Sequence, residues 1–120
     1  MSDIGSLPAS NEAGGSHSNA TIVKEGWLQK RGEHIKTWRA RYFILRSDGT
    51  LHGWRVKPNE NGPHERPLND FTIKGCQIMT VDRPRPFTFI IRGLQWTSVV
   101  ERTFSVETER DRQEWTEAIR

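Results

Sequence analysis

The sequence predicts a mostly β fold: a small antiparallel barrel or sandwich of six or seven strands, capped by one carboxy-terminal α-helix. Three observations carry this. From Glu25 onward, short runs rich in aromatic and β-branched residues alternate with clusters of Gly, Pro, Asn and Asp. Near the end of the chain, Thr108 followed by Asp111 resembles a capping box and opens a helical spacing of Trp115, Ala118 and Ile119. The length of 120 residues, 33% of them hydrophobic, supports one core and not two. Strands followed by a single amphipathic helix place that helix across one opening of the sheet.

Taken in order, residues 25–31 form the first expected strand and 32–36 a five-residue loop. Residues 37–46 form the second strand, with Trp38, Ala40, Tyr42 and Ile44 on one face and Arg39, Arg41, Phe43 and Leu45 on the other. Residues 47–50 make a tight turn, because Asp48-Gly49 tolerates the positive φ that such turns require, and 51–56 are a third strand. Residues 57–67 hold three prolines, two asparagines and a glycine and are expected as an exposed loop. Strands resume at Phe71, with 72–79, 87–92 and 101–106 as the candidates and Arg83-Pro84-Arg85-Pro86 as a stiff connector. The helix starts near Glu109 and reaches Arg120 without a stop signal, which predicts a truncated helix in a chain that continues. Residues 1–20, rich in Gly, Ser, Ala and Asn and without Lys or Arg, read as a disordered tail, so the domain is expected over 21–120.

Composition narrows the function classes. The single Cys76 forms no intrachain disulfide and fits a reducing, cytoplasmic compartment, and histidines at 17, 34, 52 and 64 offer no zinc spacing. No metal or cofactor is expected. There is no apolar run of membrane-spanning length, no signal peptide and no Met-Gly start for myristoylation. Neither a P-loop, a Gly-x-Gly-x-x-Gly, a Gly-x-Ser-x-Gly nor a His-Glu-x-x-His is present, so residues 1–120 are not expected to be an enzyme. The net charge is +3, and the only charged residues of the first twenty are Asp3 and Glu12, so residues 21–120 carry +5. A basic domain of this size implies an anionic partner.

The basic charge is concentrated. Residues 22–46 hold seven cations (Lys24, Lys30, Arg31, Lys36, Arg39, Arg41 and Arg46) against Glu25 and Glu33. Strand alternation puts Arg39 and Arg41 on one face, with Lys30 at the end of the neighbouring strand, so three cations converge at one open end. Arginine forks match phosphate oxygens and lysine adds a mobile point charge. The alternative is a hairpin kept soluble and blunt-edged by its charges. Trp27, Trp38, Tyr42 and Phe43 read as core rather than as a stacking platform, as does Trp115. Nucleic acid is not the expected partner, because the sequence lacks an RNA-recognition consensus and its one good helix is acidic.

The strings Glu25-Gly26-Trp27-Leu28-x-Lys30 and Trp38-Arg39-x-Arg41-Tyr42-Phe43, with the terminal-helix Trp115, resemble a pleckstrin homology (PH) domain. Longer strings are similar to the amino-terminal domain of the Akt (protein kinase B) serine/threonine kinases: the ten residues from Lys30, Glu65-Arg66-Pro67-Leu68-Asn69, Arg83-Pro84-Arg85-Pro86, Leu94-Gln95-Trp96-Thr97 and Glu101-Arg102-Thr103-Phe104. The resemblance implies a seven-stranded bent sheet closed by the helix, binding phosphoinositide head groups through the first two strands and their loop. It implies Arg39 and Arg41 on the 3-phosphate and Lys30, Asn69 and Arg102 on the 4-phosphate side, with loop residues Glu33, His34, Ile35 and Lys36 governing selectivity. The implied lipids are phosphatidylinositol 3,4,5-trisphosphate and 3,4-bisphosphate. Their binding would recruit a monomeric cytoplasmic kinase to the inner face of the plasma membrane and relieve its autoinhibition. The alternative function is a protein-interaction or autoinhibitory module docking on its own kinase domain, with little specific lipid binding.

Three positions depart from the family pattern. His34 replaces the usual tyrosine and adds a proton-dependent charge to the loop, which predicts tighter binding in acid. Ala40 replaces the usual proline between the two arginines and leaves their facing unchanged. Gly93 stands where mammalian relatives carry a second cysteine, which removes a disulfide with Cys76.

Overall fold

Side-chain alternation along two long strands decides how the sheet closes. In β1 (Ile22–Arg31) and β2 (Trp38–Arg46) one face carries Leu28, Phe43 and Leu45, all buried, and continues toward the β1–β2 loop as Lys30, Arg41 and Arg39. The structure, a computed structural model, describes residues 20–59, 66–95 and 98–120. The expected tail over 1–20 therefore lies outside the described residues except for Ala20, as do Glu65, Trp96 and Thr97.

The further elements are β3 (Thr50–Trp54), β4 (Asn69–Thr72), β5 (Gln77–Val81), β6 (Thr88–Gln95), β7 (Ser98–Ser105) and α1 (Glu109–Ile119). The seven strands form one antiparallel sheet in the order β4-β3-β2-β1-β7-β6-β5. β1 pairs with β2 from Ile22↔Arg46 to Arg31↔Trp38, but meets β7 only through Gln29↔Ser105 and Lys30↔Phe104. The sheet bends over at that short junction. Leu28, Phe43, Leu45, Leu51, Phe89, Ile91 and Phe104 fill the space it encloses. Phe104 sits at the centre, edge-on to Phe43 at 5.2 Å between centroids and stacked on Phe89 at 5.3 Å.

Trp115 and Ile119 of α1 complete the core, as the helical spacing predicts. Thr108 Oγ1 accepts from the Asp111 amide at 3.0 Å, and acids in the first turn suit the positive end of the helix dipole. Arg112 is the residue that sequence patterning missed. It is buried, donates to the Val81 and Thr88 carbonyls at 2.9 and 3.1 Å, and pairs with Asp82 and Glu109. That guanidinium fastens the helix to the end of β5 and the start of β6.

Two boundaries differ from expectation. The strand expected over 72–79 is two strands, because Ile73 to Cys76 turns the chain, with Gly75 at φ +72° and the Cys76 amide donating to the Ile73 carbonyl at 3.1 Å. The last hairpin is longer than its apolar runs suggested, because backbone pairing from Thr88↔Ser105 to Gln95↔Ser98 continues past the buried residues. Trp27 is also not core. It is half exposed on the outer face, edge-on to Tyr42 at 5.4 Å. Antiparallel order places the β1–β2, β3–β4 and β6–β7 connections at one end of the sheet, and Ile119 and Arg120 of the helix adjoin the β2–β3 and β4–β5 turns at the other.

Candidate anion-binding site

The mouth between the three connections is where the core face of the sheet turns cationic. Lys30 lies directly across from Arg39, and Leu28 across from Arg41, so both arginines share the face of the lysine. Arg102 lies across from Ile91 on β6, two positions from Phe104, which pairs with both Lys30 and Phe89. Asn69 closes the row on the other side, in register with Gly53, which is itself in register with Phe43. All five predicted residues therefore stand on the inner face of one rim.

Lys30 is buried, at 8% exposure, with Nζ donating to the Arg31 carbonyl at 3.3 Å and 3.6 Å from Glu33 Oε2. Burial holds its amine below the ordinary lysine range; Glu33 opposes that shift, while the charges of Arg102 and Arg41 add to it. Arg102 brings Nε to 2.9 Å from the same Glu33 oxygen, donates from Nη1 to the Glu101 carbonyl at 2.8 Å, and lays its guanidinium 5.2 Å from the Phe71 ring centroid. Arg41 donates from Nη1 to the Ala40 carbonyl at 2.7 Å. Burial, then the charges of Arg55 and Arg39, hold the Arg41 guanidinium below its ordinary value.

Asn69 Oδ1 is buried without a hydrogen-bond partner among the described residues, which makes it an unused acceptor in a cationic rim. Gly53 allows its approach. A Cβ at position 53 would stand 2.6 Å from Phe43 Cε1 and 3.0 Å from Asn69 Oδ1. Neither Gly53 nor the double role of Glu33 was legible from residue spacing, because both depend on cross-strand register.

The β1–β2 loop is held by a close backbone approach. Gly32 donates to the Thr37 carbonyl at 2.8 Å, Thr37 donates to the Ile35 carbonyl at 2.8 Å, and a Cβ at Gly32 would lie 2.0 Å from the Ile35 oxygen. Glu33, His34, Ile35 and Lys36 are all exposed on this loop. Between the loop and β7 lies a depression of about 250 Å³ lined by Arg31, Gly32, Glu33, Lys36, Glu101, Arg102 and Thr103. Of the ligand-binding and loop residues expected from the sequence, Glu33, Lys36 and Arg102 line it, together with Arg31 of the basic cluster. Glu101 is a second acid there, paired with Arg92 at 3.2 Å. On the neighbouring face Gly93 sits against Cys76, so close that a Cβ at 93 would be 2.6 Å from Sγ. Cys76 is a free thiol, and burial raises its pKa.

An array of four cations around one internal carboxylate can take up a polyanion such as a phosphorylated ring, to which Asn69 could donate only from Nδ2 and not through its unused Oδ1. No cluster of three or more metal-ligating side chains occurs among the described residues.

Comparison with known proteins assigns the chain to a family. The profile of the PH domain matches residues 22–120. The chain is 69% identical over 101 residues to RAC serine/threonine-protein kinase of Drosophila melanogaster, covering 82% of this chain and 16% of that protein. It is 52% identical over 102 residues to human RAC-beta serine/threonine-protein kinase, covering 85% and 21%. The chain thus spans about a fifth of the length of these curated relatives, and the matched segment contains no catalytic domain. Among solved structures it resembles the carboxy-terminal PH domain of pleckstrin in complex with D-myo-Ins(1,2,3,4,5)P5, with TM-score 0.65, 31% identity and coverage of 82% and 95%. It also resembles the Slm1-PH domain in complex with D-myo-inositol-4-phosphate, with TM-score 0.68 and coverage of 82% and 92%, where 17% identity shows the fold alone. From Ile22 to Arg120, this chain belongs to the PH domain family, and it matches the PH domain of the RAC (Akt) serine/threonine kinases.

Proposed function

We propose that this domain binds phosphoinositides phosphorylated at the 3-position, namely the 3,4,5-trisphosphate and the 3,4-bisphosphate. By doing so it brings an Akt-type kinase from the cytoplasm to the inner face of the plasma membrane and relieves its autoinhibition. The observation that carries the reading is the convergence of Lys30, Arg39, Arg41 and Arg102 on one rim, where Glu33 is the only carboxylate paired with any of them among the described residues. The inositol phosphate in the related pleckstrin structure supports the ligand class.

In this reading basic charge speeds the approach to the membrane, and arginine forks then select the phosphate pattern, Arg39 and Arg41 at the 3-phosphate and Lys30, Asn69 and Arg102 toward the 4-phosphate. The test is vesicle binding at physiological salt, comparing the 3,4,5-trisphosphate with the 4,5-bisphosphate and with phosphatidylserine at matched surface charge. A preference for the 3-phosphorylated lipid is expected, and Arg41→Ala should cost about 1.5 to 3 kcal/mol, roughly 10- to 150-fold in affinity. Binding that follows surface charge alone, from a folded sample, would reject the reading and favour a protein-docking role.

A further inference from the structure

The cations of the rim divide by what neutralises them. Lys30 and Arg102 share the Glu33 carboxylate. Arg39 and Arg41, by contrast, have no carboxylate within ion-pair distance among the described residues. A third arginine joins this unpaired half. β2 and β3 pair through Tyr42↔Trp54, so the next position on β3, Arg55, follows Arg41 across the ladder. Alternation from Leu51 and Gly53 assigns Arg55 to the core face, where the rim opens. β3 ends at Trp54 and Arg55 opens the bend beyond it, exposed at the mouth.

Electrostatics agrees with the register. After burial, the charge of Arg55 is the first influence that disfavours the charged form of Arg41, ahead of Arg39, the next residue but one in the chain. Arg55 also has no carboxylate partner among the described residues. Three mutually repelling guanidinium groups thus face the mouth without an internal counter-ion, while the other half of the same rim has one. Each guanidinium has donors suited to phosphate oxygens, and an anion held among the three would relieve their repulsion.

We propose that Arg55 is a further ligand-binding residue: with Arg39 and Arg41 it forms a three-arginine cradle for a phosphate group on the β2–β3 side of the mouth. The proposal deepens the head-group reading above and rests on it. The phosphate that Arg55 itself meets is either the ring phosphate that Arg39 and Arg41 hold or that of a neighbouring acidic lipid, and either presents anionic oxygens to its guanidinium. Arg55 is not among the site residues expected from the sequence, and only the β2–β3 register brings it to the site.

The experiment compares Arg55→Ala with Arg41→Ala and with Arg110→Ala, an equal loss of charge on the exposed helix surface. Each is titrated with soluble inositol 1,3,4,5-tetrakisphosphate and with trisphosphate vesicles, with and without phosphatidylserine, and each is checked by thermal melt. Arg55→Ala should weaken binding about three- to tenfold, between an exposed ion pair and a charged hydrogen bond, while Arg110→Ala changes little. A loss shared with the soluble ligand assigns the phosphate to the inositol ring. A loss confined to vesicles with phosphatidylserine assigns it to a neighbouring lipid. Unchanged binding by folded Arg55→Ala in all three assays, with Arg41→Ala impaired, overturns the cradle, as does an equal loss in Arg110→Ala. If Arg41→Ala also binds normally, the head-group reading itself fails.

Discussion

Glu33 Oε2 lies 2.9 Å from Arg102 Nε across the mouth, and the same oxygen is 3.6 Å from Lys30 Nζ. One exposed loop acid thus occupies the place where two rim cations would meet an anion. In the head-group reading proposed above, a phosphorylated ligand engaging Lys30 and Arg102 would have to displace this carboxylate, which would make Glu33 an internal competitor that a weakly charged ligand displaces poorly.

Replacing that acid should therefore loosen selectivity as well as raise affinity. Glu33→Gln removes the competitor, and Glu33→Lys also adds a cation. We expect vesicle affinity to rise about three- to tenfold in Glu33→Gln and further in Glu33→Lys, at exposed-charge magnitudes. The gain should be larger for bisphosphate than for trisphosphate lipids, because the less charged ligand is the one that Glu33 resists. An affinity ratio between the two lipids that is identical in wild type and mutant would refute the competitor role.

The strands and the charge cluster were legible because their signals are local. Alternation put Arg39 and Arg41 on one face together with Phe43 and Leu45, and the structure keeps that facing, with Phe43 and Leu45 buried behind the two arginines. Thr108 and Asp111 likewise announced a helix start that the hydrogen bond between them bears out. What spacing could not reveal is long-range. Arg102 reaches the rim because Phe104, two positions on, pairs with Lys30 at the other end of the chain, and Asn69 because it faces Gly53, which in turn faces Phe43, so only resemblance to a family pointed to them. Arg112 looked like one charge on an acidic helix, because its carbonyl partners lie 24 and 31 residues away. The merged strand over 72–79 failed for a different reason: β-branched and apolar residues flank Gly75 on both sides, and a single glycine carried the turn.

The loop that bears Glu33 depends on the absence of one side chain. Gly32→Ala would set a methyl group 2.0 Å from the Ile35 carbonyl oxygen, a backbone atom that has no free rotation to escape. The Gly32–Thr37 and Thr37–Ile35 hydrogen bonds should break or lengthen, and residues 33–36 should move as a unit. We expect a loss of about 1 to 2 kcal/mol in head-group binding, roughly 5- to 30-fold, with only a small drop in melting temperature because the loop lies outside the core. Wild-type affinity in titration, together with unchanged backbone amide shifts for residues 33–36, would show that the loop takes the methyl without moving.

Lys30 sets stability against binding. Its side chain is buried, and its one carboxylate partner is at 3.6 Å and already closer to Arg102. Burial, Arg102 and Arg41 outweigh the help from Glu33 and hold the amine below its ordinary range, so the folded state disfavours the charge that the free chain carries without penalty. Lys30→Met keeps the length and the apolar stem and removes the charge. It should raise stability by roughly 1 kcal/mol, or about 4 to 8 °C in melting temperature for a domain of this size, while head-group binding falls at least about tenfold. The sign with pH follows. The lysine penalty is full at pH values below the lowered folded value, diminishes as pH rises through it, and vanishes above the ordinary lysine value. The stability gap between the two proteins should accordingly narrow in alkaline melts. A mutant that melts lower than wild type at neutral pH would mean that the Lys30 contacts with Glu33 and the Arg31 carbonyl outweigh the cost of burying the charge.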